Sequence, residues 1–410
     1  MGLDRHETLR LRAIIRASIA TSLIYLAIAY VAPLSVHAGP APAPDFVAVG
    51  SPRELKGAPG IFERSFIATV GTSPFDKIGL HRLDRGSTPP AAAFRHAMLV
   101  VLYLPGTYMN GETTIEDPHY SFQVYLAEHG IDVWSFDYRT HFIPPTSTQG
   151  ELGELAGWTS DIFESDIDKA VQFIRGQTGS DRIFVAGFSC GGGFAYLYAA
   201  MHPDRVKGLI VMDGSIPNGP FVPVASKPGQ FATDVGGAHL TYDKRNALLK
   251  MVIENPDQSA PIAKYKTARE NLERVLYEAG GVFGGHGGLA NPQGGFSDAT
   301  ILAQLLIGYD RYWPAVQDYE TPDSPSVIAA LKAAKIPIVA FGSANIGPKW
   351  IAKIQSASKS TGVDPHKAKF YKLEGWGHLD VLAGTKSEQA VFAKALLFIV
   401  LNNPQLLSPD

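Results

Sequence analysis

Gly187-Phe188-Ser189-Cys190-Gly191-Gly192-Gly193 lies between two apolar runs, Arg182-Ile183-Phe184-Val185-Ala186 before it and Phe194-Ala195-Tyr196-Leu197-Tyr198-Ala199-Ala200 after it. The first run reads as a short buried strand and the second as a helix, so Ser189 stands at a strand-to-helix turn. A chain that turns this sharply forces the serine into a strained backbone, and side chains at the flanking positions would collide with neighbouring elements. Glycine at 187 and 191 removes that collision. The turn lifts the hydroxyl above the sheet and aims the free N–H groups of the helix start at any negative charge that develops there. The pentapeptide alone also describes a glycine-rich turn with an incidental serine; the flanking strand and helix favour Ser189 as a nucleophile.

Outward from this turn, strands and helices alternate. Ala97–Leu104 is a continuous apolar run of the kind that fills a central parallel strand, and Tyr120–His129 follows as a helix. Ile131–Phe136, Ile183–Ala186 and Val206–Met212 read as further strands, with Ser160–Arg175 an amphipathic helix carrying acidic residues early. Ile336–Phe341 and Ala368–Leu373 are late strands, and Ser387–Val400 is a closing helix. Strands separated by helical crossovers predict an α/β fold, a mostly parallel sheet covered on both faces. Ligands of such sheets bind beyond the carboxyl ends of the strands, where Ser189 falls.

This arrangement resembles the α/β-hydrolase family from about Ala97 to the last helix. The resemblance implies a serine nucleophile, a histidine in the loop after the last strand, and an acid after the sixth or seventh strand. Gly375-Trp376-Gly377-His378-Leu379-Asp380 follows the strand Ala368–Leu373, which makes His378 the general base. A serine is barely ionised at neutral pH, so a neutral imidazole must take its proton during attack and return it to the leaving group. The family's common acid site after strand seven falls in Phe341-Gly342-Ser343-Ala344-Asn345, where this chain has Asn345, which cannot offset an imidazolium charge. Asp213 ends the sixth strand instead, as in haloalkane dehalogenases and some lipases, and is the expected triad acid. Asp380 is read as a loop or helix-cap residue. The strand Ala97–Leu104 runs into Pro105-Gly106-Thr107-Tyr108, so the resemblance places the oxyanion hole at the backbone N–H groups of Thr107 and Cys190, with the Tyr108 hydroxyl as an alternative donor.

Between the sixth and seventh strands, residues 214–335 are expected to form a helical lid inserted into the hydrolase core of residues 39–213 and 336–410. The insertion holds a helical stretch Ala263–Ala279, a glycine-rich run from Gly280 to Phe296, a second stretch Ile301–Tyr309, and the aromatic cluster Tyr309, Tyr312 and Trp313. The glycine run lacks the lysine and serine of a phosphate-binding loop and reads as a hinge. The cluster reads as lid core or, in part, as the wall of an acyl or aromatic pocket.

Composition sets the outer bounds. A chain of 410 residues with 45% hydrophobic content can bury a large core. A net charge of −3, with lysine and arginine scattered after the N-terminus, excludes a basic stripe that would track nucleic acid. Cys190 is the only cysteine, so neither an intrachain disulfide nor a multi-cysteine zinc site is available; beside the serine it reads as a small buried side chain. Residues 1–38 have a basic start at Arg5, Arg10, Arg12 and Arg16, an apolar run Ala17–Ala32, and Val36-His37-Ala38. That is the pattern of an export signal cleaved after Ala38, the alternative being an uncleaved anchor. The expectation is an exported serine hydrolase acting without cofactor or metal on a small-molecule or lipid-like ester. Amide hydrolysis and acyl transfer by the same triad stay open, as does a binding protein on a retired hydrolase fold. An aminopeptidase would need an acidic patch in the lid; Glu270, Glu273 and Glu278 are present but read as the solvated face of a helix.

Overall fold

The computed structural model describes residues 45–86, 99–153, 155, 157–158, 160–216, 231–232, 241–278, 297–314 and 325–403. Residues 1–38, expected from the sequence to be an export signal, and the glycine-rich run Gly280–Phe296 lie outside these residues. Nine strands form one sheet: β1 (Val47–Glu54), β2 (Ile61–Thr69), β3 (Lys77–Arg85), β4 (Val100–Leu104), β5 (Asp132–Asp137), β6 (Ile183–Phe188), β7 (Val206–Met212), β8 (Ile338–Ser343) and β9 (Ala368–Leu373). Their spatial order is β1-β2-β3-β5-β4-β6-β7-β8-β9. The last six pair in parallel, and β1 to β3 add an antiparallel edge.

The core strands are mostly apolar, β5 being the exception with Asp132, Ser135 and Asp137 buried among its apolar residues. Every residue of β4, β5, β6 and β8 is buried, as expected where helices cover both faces. The longer helices among the described residues are α1 (Phe122–Glu128), α2 (Ser160–Thr178), α3 (Cys190–Met201), α4 (Tyr242–Glu254), α5 (Ala268–Glu278), α6 (Ala299–Ile307), α7 (Pro325–Ala334), α8 (Pro348–Lys359) and α9 (Ala393–Leu401). α3 starts directly at the residue after Ser189 and is buried almost throughout. The closing helix is interrupted: Glu388–Phe392 form a π-helical turn before α9.

The segment between β7 and β8 carries α4, α5, α6 and α7. The first three pack on one another, whereas α7 packs on the elbow helix α3 and so belongs by contact to the core. Residues 231–232 pair with 313–314 as a two-residue antiparallel ladder. Among the described residues no helix is long and apolar enough to cross a membrane.

The strand ending at Asp213, sixth by the family's count, is seventh in chain order because three antiparallel strands precede β4. Those strands, Val47 to Arg85, and helices α4, α7 and α8 had no counterpart in the sequence reading.

Candidate active site

Ser189 has φ 54 and ψ −121, a left-handed conformation that costs a non-glycine residue about 1–3 kcal/mol. Its surroundings hold it there. The Ser189 N–H donates to the Met212 carbonyl at 3.0 Å, and its own carbonyl accepts from Gly192 N at 3.0 Å. A Cβ on Gly187 would lie 2.2 Å from the Gly191 carbonyl oxygen, and one on Gly191 would lie 2.0 Å from the Leu104 carbonyl oxygen. Both glycines of the motif are therefore steric requirements. Ser189 is partly exposed while its neighbours on both sides are buried.

The histidine reaches this turn from the far side of the sheet's carboxyl edge. The His378 ring lies against the ring of Phe188, with centroids 4.6 Å apart. Its Nδ1 is 2.5 Å from Oδ2 of Asp213. Only 8% of His378 and none of Asp213 is exposed to solvent, so this charge-assisted hydrogen bond is shielded from competing water.

Asp213 also has a positive φ, 51, at the end of β7. Its backbone N–H donates to the Phe341 carbonyl at 2.8 Å, and its carboxylate is saturated by donors from the neighbouring strand and helix. Ser343 N donates to Oδ1 at 2.8 Å, Trp350 Nε1 donates to Oδ1 at 3.0 Å, and the Ser343 hydroxyl donates to Oδ2. These donors fix the carboxylate with its second oxygen toward the imidazole. Ser343 and Trp350 were missed in the sequence. Ser343 stands in the segment where the family's acid is common, while Trp350 is brought in by α8 and carries no local signal.

The competing acids do other work. Asn345 Nδ2 donates to the Gly375 carbonyl at 2.8 Å, and its N–H donates to the Trp376 carbonyl at 3.0 Å, bracing the histidine loop. Asp380 is 2% exposed; it accepts Gly377 N at 2.6 Å and the Ser297 hydroxyl at 2.7 Å. It shapes the turn under His378 and links it to the segment between β7 and β8. Glu270 accepts the Lys266 N–H at 2.8 Å, a contact of its own helix start.

The Pro105–Tyr108 turn packs on Ser189. A Cβ on Gly106 would lie 3.2 Å from Ser189 Cβ and 3.0 Å from a Phe188 ring carbon. Thr107 is half-buried, Tyr108 has φ 64, and the Tyr108 carbonyl accepts from Asp310 N at 2.7 Å. The Pro105 carbonyl accepts the Tyr138 hydroxyl at 3.0 Å. Thr107 and Cys190 thus flank Ser189 on adjacent strand ends, with the Cys190 side chain buried. The aromatic cluster is packed inward: Trp313 is fully buried against Tyr138, Phe163 and Tyr108, and the Tyr312 hydroxyl donates to the Ser147 carbonyl at 2.6 Å.

A doubly covered parallel sheet, a strained serine between strand and helix, and a histidine paired to a strand-end aspartate give the chain the α/β-hydrolase fold. The sequence profile of the alpha/beta hydrolase fold matches residues 100–245. The crystal structure of a candidate lipase from Sulfolobus solfataricus superposes with a TM-score of 0.67 at 25% identity, covering 88% of this chain and 99% of that one. Poly(3-hydroxyalkanoate) polymerase subunit PhaC of Allochromatium vinosum is 28% identical over 137 residues, 33% of this chain and 35% of that protein. The corresponding subunit of Thiocystis violacea is 27% identical over 139 residues. The match spans about a third of the length of these two relatives.

Proposed function

We propose that the protein is an exported serine hydrolase that cleaves a carboxylic ester through an acyl-enzyme, with Ser189 as nucleophile, His378 as general base and Asp213 as the acid. The observation that carries this reading is the His378–Asp213 hydrogen bond of 2.5 Å, set beside a serine in an elbow conformation. Asp213 holds the imidazole with its Nδ1 proton inward, which leaves Nε2 free to act on the serine.

In the first half-reaction Ser189 Oγ attacks the ester carbonyl carbon while Nε2 of His378 takes the hydroxyl proton. The carbonyl π pair moves onto oxygen, and the N–H groups of Thr107 and Cys190 stabilise that charge. Collapse expels the alcohol, which leaves with the proton from His378, and the acyl group stays on Ser189. Water repeats the sequence against the acyl-enzyme: His378 takes its proton, the acid is released and the serine hydroxyl is restored. No step calls for a cofactor. Residues 1–38 act as the export signal, and the α4–α6 segment acts as the lid over the site.

Acyl transfer is the second reading, favoured by the partial similarity to a polymerase subunit: an alcohol in place of water would intercept the same intermediate. The test is hydrolysis of p-nitrophenyl esters by the protein and by Ser189→Ala. Turnover that vanishes in the variant supports the reading. Undiminished turnover in the variant overturns it, and product esters formed only when an alcohol is added favour transfer.

A further inference from the structure

A cavity of about 50 Å³ opens where the loop after the oxyanion turn meets the start of α1 and the end of α6. Its walls include Met109, Thr113, Thr114, Gln123, Leu305 and Tyr309. It adjoins Ser189 by way of Gly106. The point that a Gly106 Cβ would occupy is 3.2 Å from Ser189 Cβ and 3.3 Å from the Met109 sulfur, so Met109, which lines the cavity, and Ser189 both pack against Gly106.

The cavity is held in shape by contacts between the loop and the segment after β7. Asn110 Nδ2 donates to the Gly308 carbonyl at 2.7 Å and to Asp310 Oδ1 at 3.0 Å. A Cβ on Gly308 would lie 2.6 Å from the Thr114 methyl carbon, so the two walls meet closely there. A preformed pocket binds without first ordering its walls.

Size and lining define what fits. Fifty cubic ångströms of this kind accommodate roughly four water-sized groups, enough for a short chain and no more. Met109, Leu305 and the Tyr309 ring offer apolar surface, while the side chains of Thr114 and Gln123 make no hydrogen bond to other described residues and are available to a ligand. The one charged side chain on the lining, Glu112, is acidic and disfavours an anionic substituent.

We propose that this cavity is the acyl subsite, that Met109 sets the accepted chain length, and that the preferred acyl group is short, uncharged and hydroxylated. The proposal rests on the serine-hydrolase reading of the neighbouring site. The test uses the full chain and p-nitrophenyl esters of acetate, butanoate, octanoate and 3-hydroxybutanoate, with fluorophosphonate labelling of Ser189 in parallel.

The wild-type protein is expected to favour butanoate over octanoate in kcat/KM, and 3-hydroxybutanoate over butanoate. Met109→Ala raises the octanoate-to-butanoate ratio about tenfold, whereas the volume-conserving Met109→Leu leaves it within about twofold. Gln123→Leu, at a half-exposed position, lowers the preference for the hydroxylated ester about fivefold, the worth of one neutral hydrogen bond. Thermal melting confirms folding of each variant. If Met109→Ala does not fold, Leu305→Ala opens the opposite wall, with the same shift expected. Labelled protein whose ester ranking is the same in folded cavity variants overturns the subsite and leaves the reading intact, the cavity then being a hydrated void only. Protein that is neither labelled nor active overturns both.

Discussion

Two serine–histidine–aspartate groupings stand out among the described residues, and they are built differently. Beside the Ser189 site, His81 on β3 places Nε2 2.9 Å from Asp137 Oδ2 and Nδ1 3.1 Å from the Ser65 hydroxyl. By distance this second group is complete, each member within hydrogen-bond reach of the next. Its context differs in three respects. Ser65 lies within the regular ladder of β2, paired opposite His81, with none of the elbow geometry that exposes Ser189. Ser65 is mid-strand, whereas an α-helix begins at the residue after Ser189. A second carboxylate, Glu63, lies 3.6 Å from His81 Nδ1 and accepts hydrogen bonds from Arg53 and Thr113 N.

That extra charge decides the matter. Burial by itself lowers the pKa of His81, but the Asp137 charge and hydrogen bond, together with Glu63, outweigh it and push the value up to about 10. Burial raises the carboxyl values, yet the protonated histidine holds Glu63 and Asp137 down at about 2. A permanently protonated imidazole cannot accept a serine proton. The group is a structural clamp: Asp137 Oδ1 accepts Gly111 N at 2.6 Å and Glu63 Oε1 accepts Thr113 N at 3.1 Å, anchoring the loop that follows the oxyanion turn. A histidine with one carboxylate partner beside a serine held in an elbow turn is arranged to cycle; a histidine between two carboxylates stays charged and holds structure.

The contrast is sharpened first at the aspartates. Asp213→Asn should lower kcat about 10³- to 10⁴-fold with a native melting curve, because the amide stabilises the wrong imidazole tautomer. Asp380→Asn should cost far less, and equal losses in steady-state assays would refute the choice of acid. Trp350→Phe removes one donor from the Asp213 carboxylate and should lower kcat about tenfold with little change in KM, accompanied by a shift of the acidic limb of the pH–rate profile.

The clamp should respond in the opposite way. His81→Gln leaves two buried carboxylates without their cation and should cost about 3 kcal/mol of stability, read by urea unfolding, while the folded fraction retains its kcat. The pH dependence carries the same signature. His81 and His141, whose pKa is pushed up to about 9 chiefly by the Asp137 charge and the Asp310 hydrogen bond against the effect of burial, both lie above the unfolded value of about 6.5. The stability they contribute is complete below about pH 6.5, declines above it and is gone past about pH 10. Glu63 and Asp137 contribute stability that is complete above about pH 4 and lost as pH falls toward 2. Melting temperature should therefore fall between pH 7 and 10, and fall less steeply in His81→Gln. The smallest effect belongs to Ser65→Ala, which should leave kcat/KM within about twofold and cost at most about 1 kcal/mol.

The same contrast explains what was legible in the sequence. The elbow, its strand and its helix are local, and each residue type has a local steric reason. The parallel strands β4 to β9 were readable because burial on both faces removes polar residues from most of them. β1 is exposed along its whole length and β3 (KIGLHRLDR) carries four charged residues and a histidine, so neither offers an apolar run to read. Asp213 was reachable because it ends a strand and because Asn345 vacates the alternative. Its donors were not, since Ser343 meets it only through the parallel register that sets Met212 beside Phe341, and Trp350 only through the packing of α8. The His81 clamp joins β2, β3 and β5 across 56 residues of sequence and has no local pattern at all.

The central claim, that Ser189 and not Ser65 is the nucleophile, is tested most directly by treating the full chain with a fluorophosphonate and mapping the adduct by peptide mass spectrometry. The account predicts one adduct, on the peptide bearing Ser189, absent from Ser189→Ala and unchanged in Ser65→Ala. An adduct on the Ser65 peptide, or ester turnover that persists with Ser189 unlabelled, would contradict it.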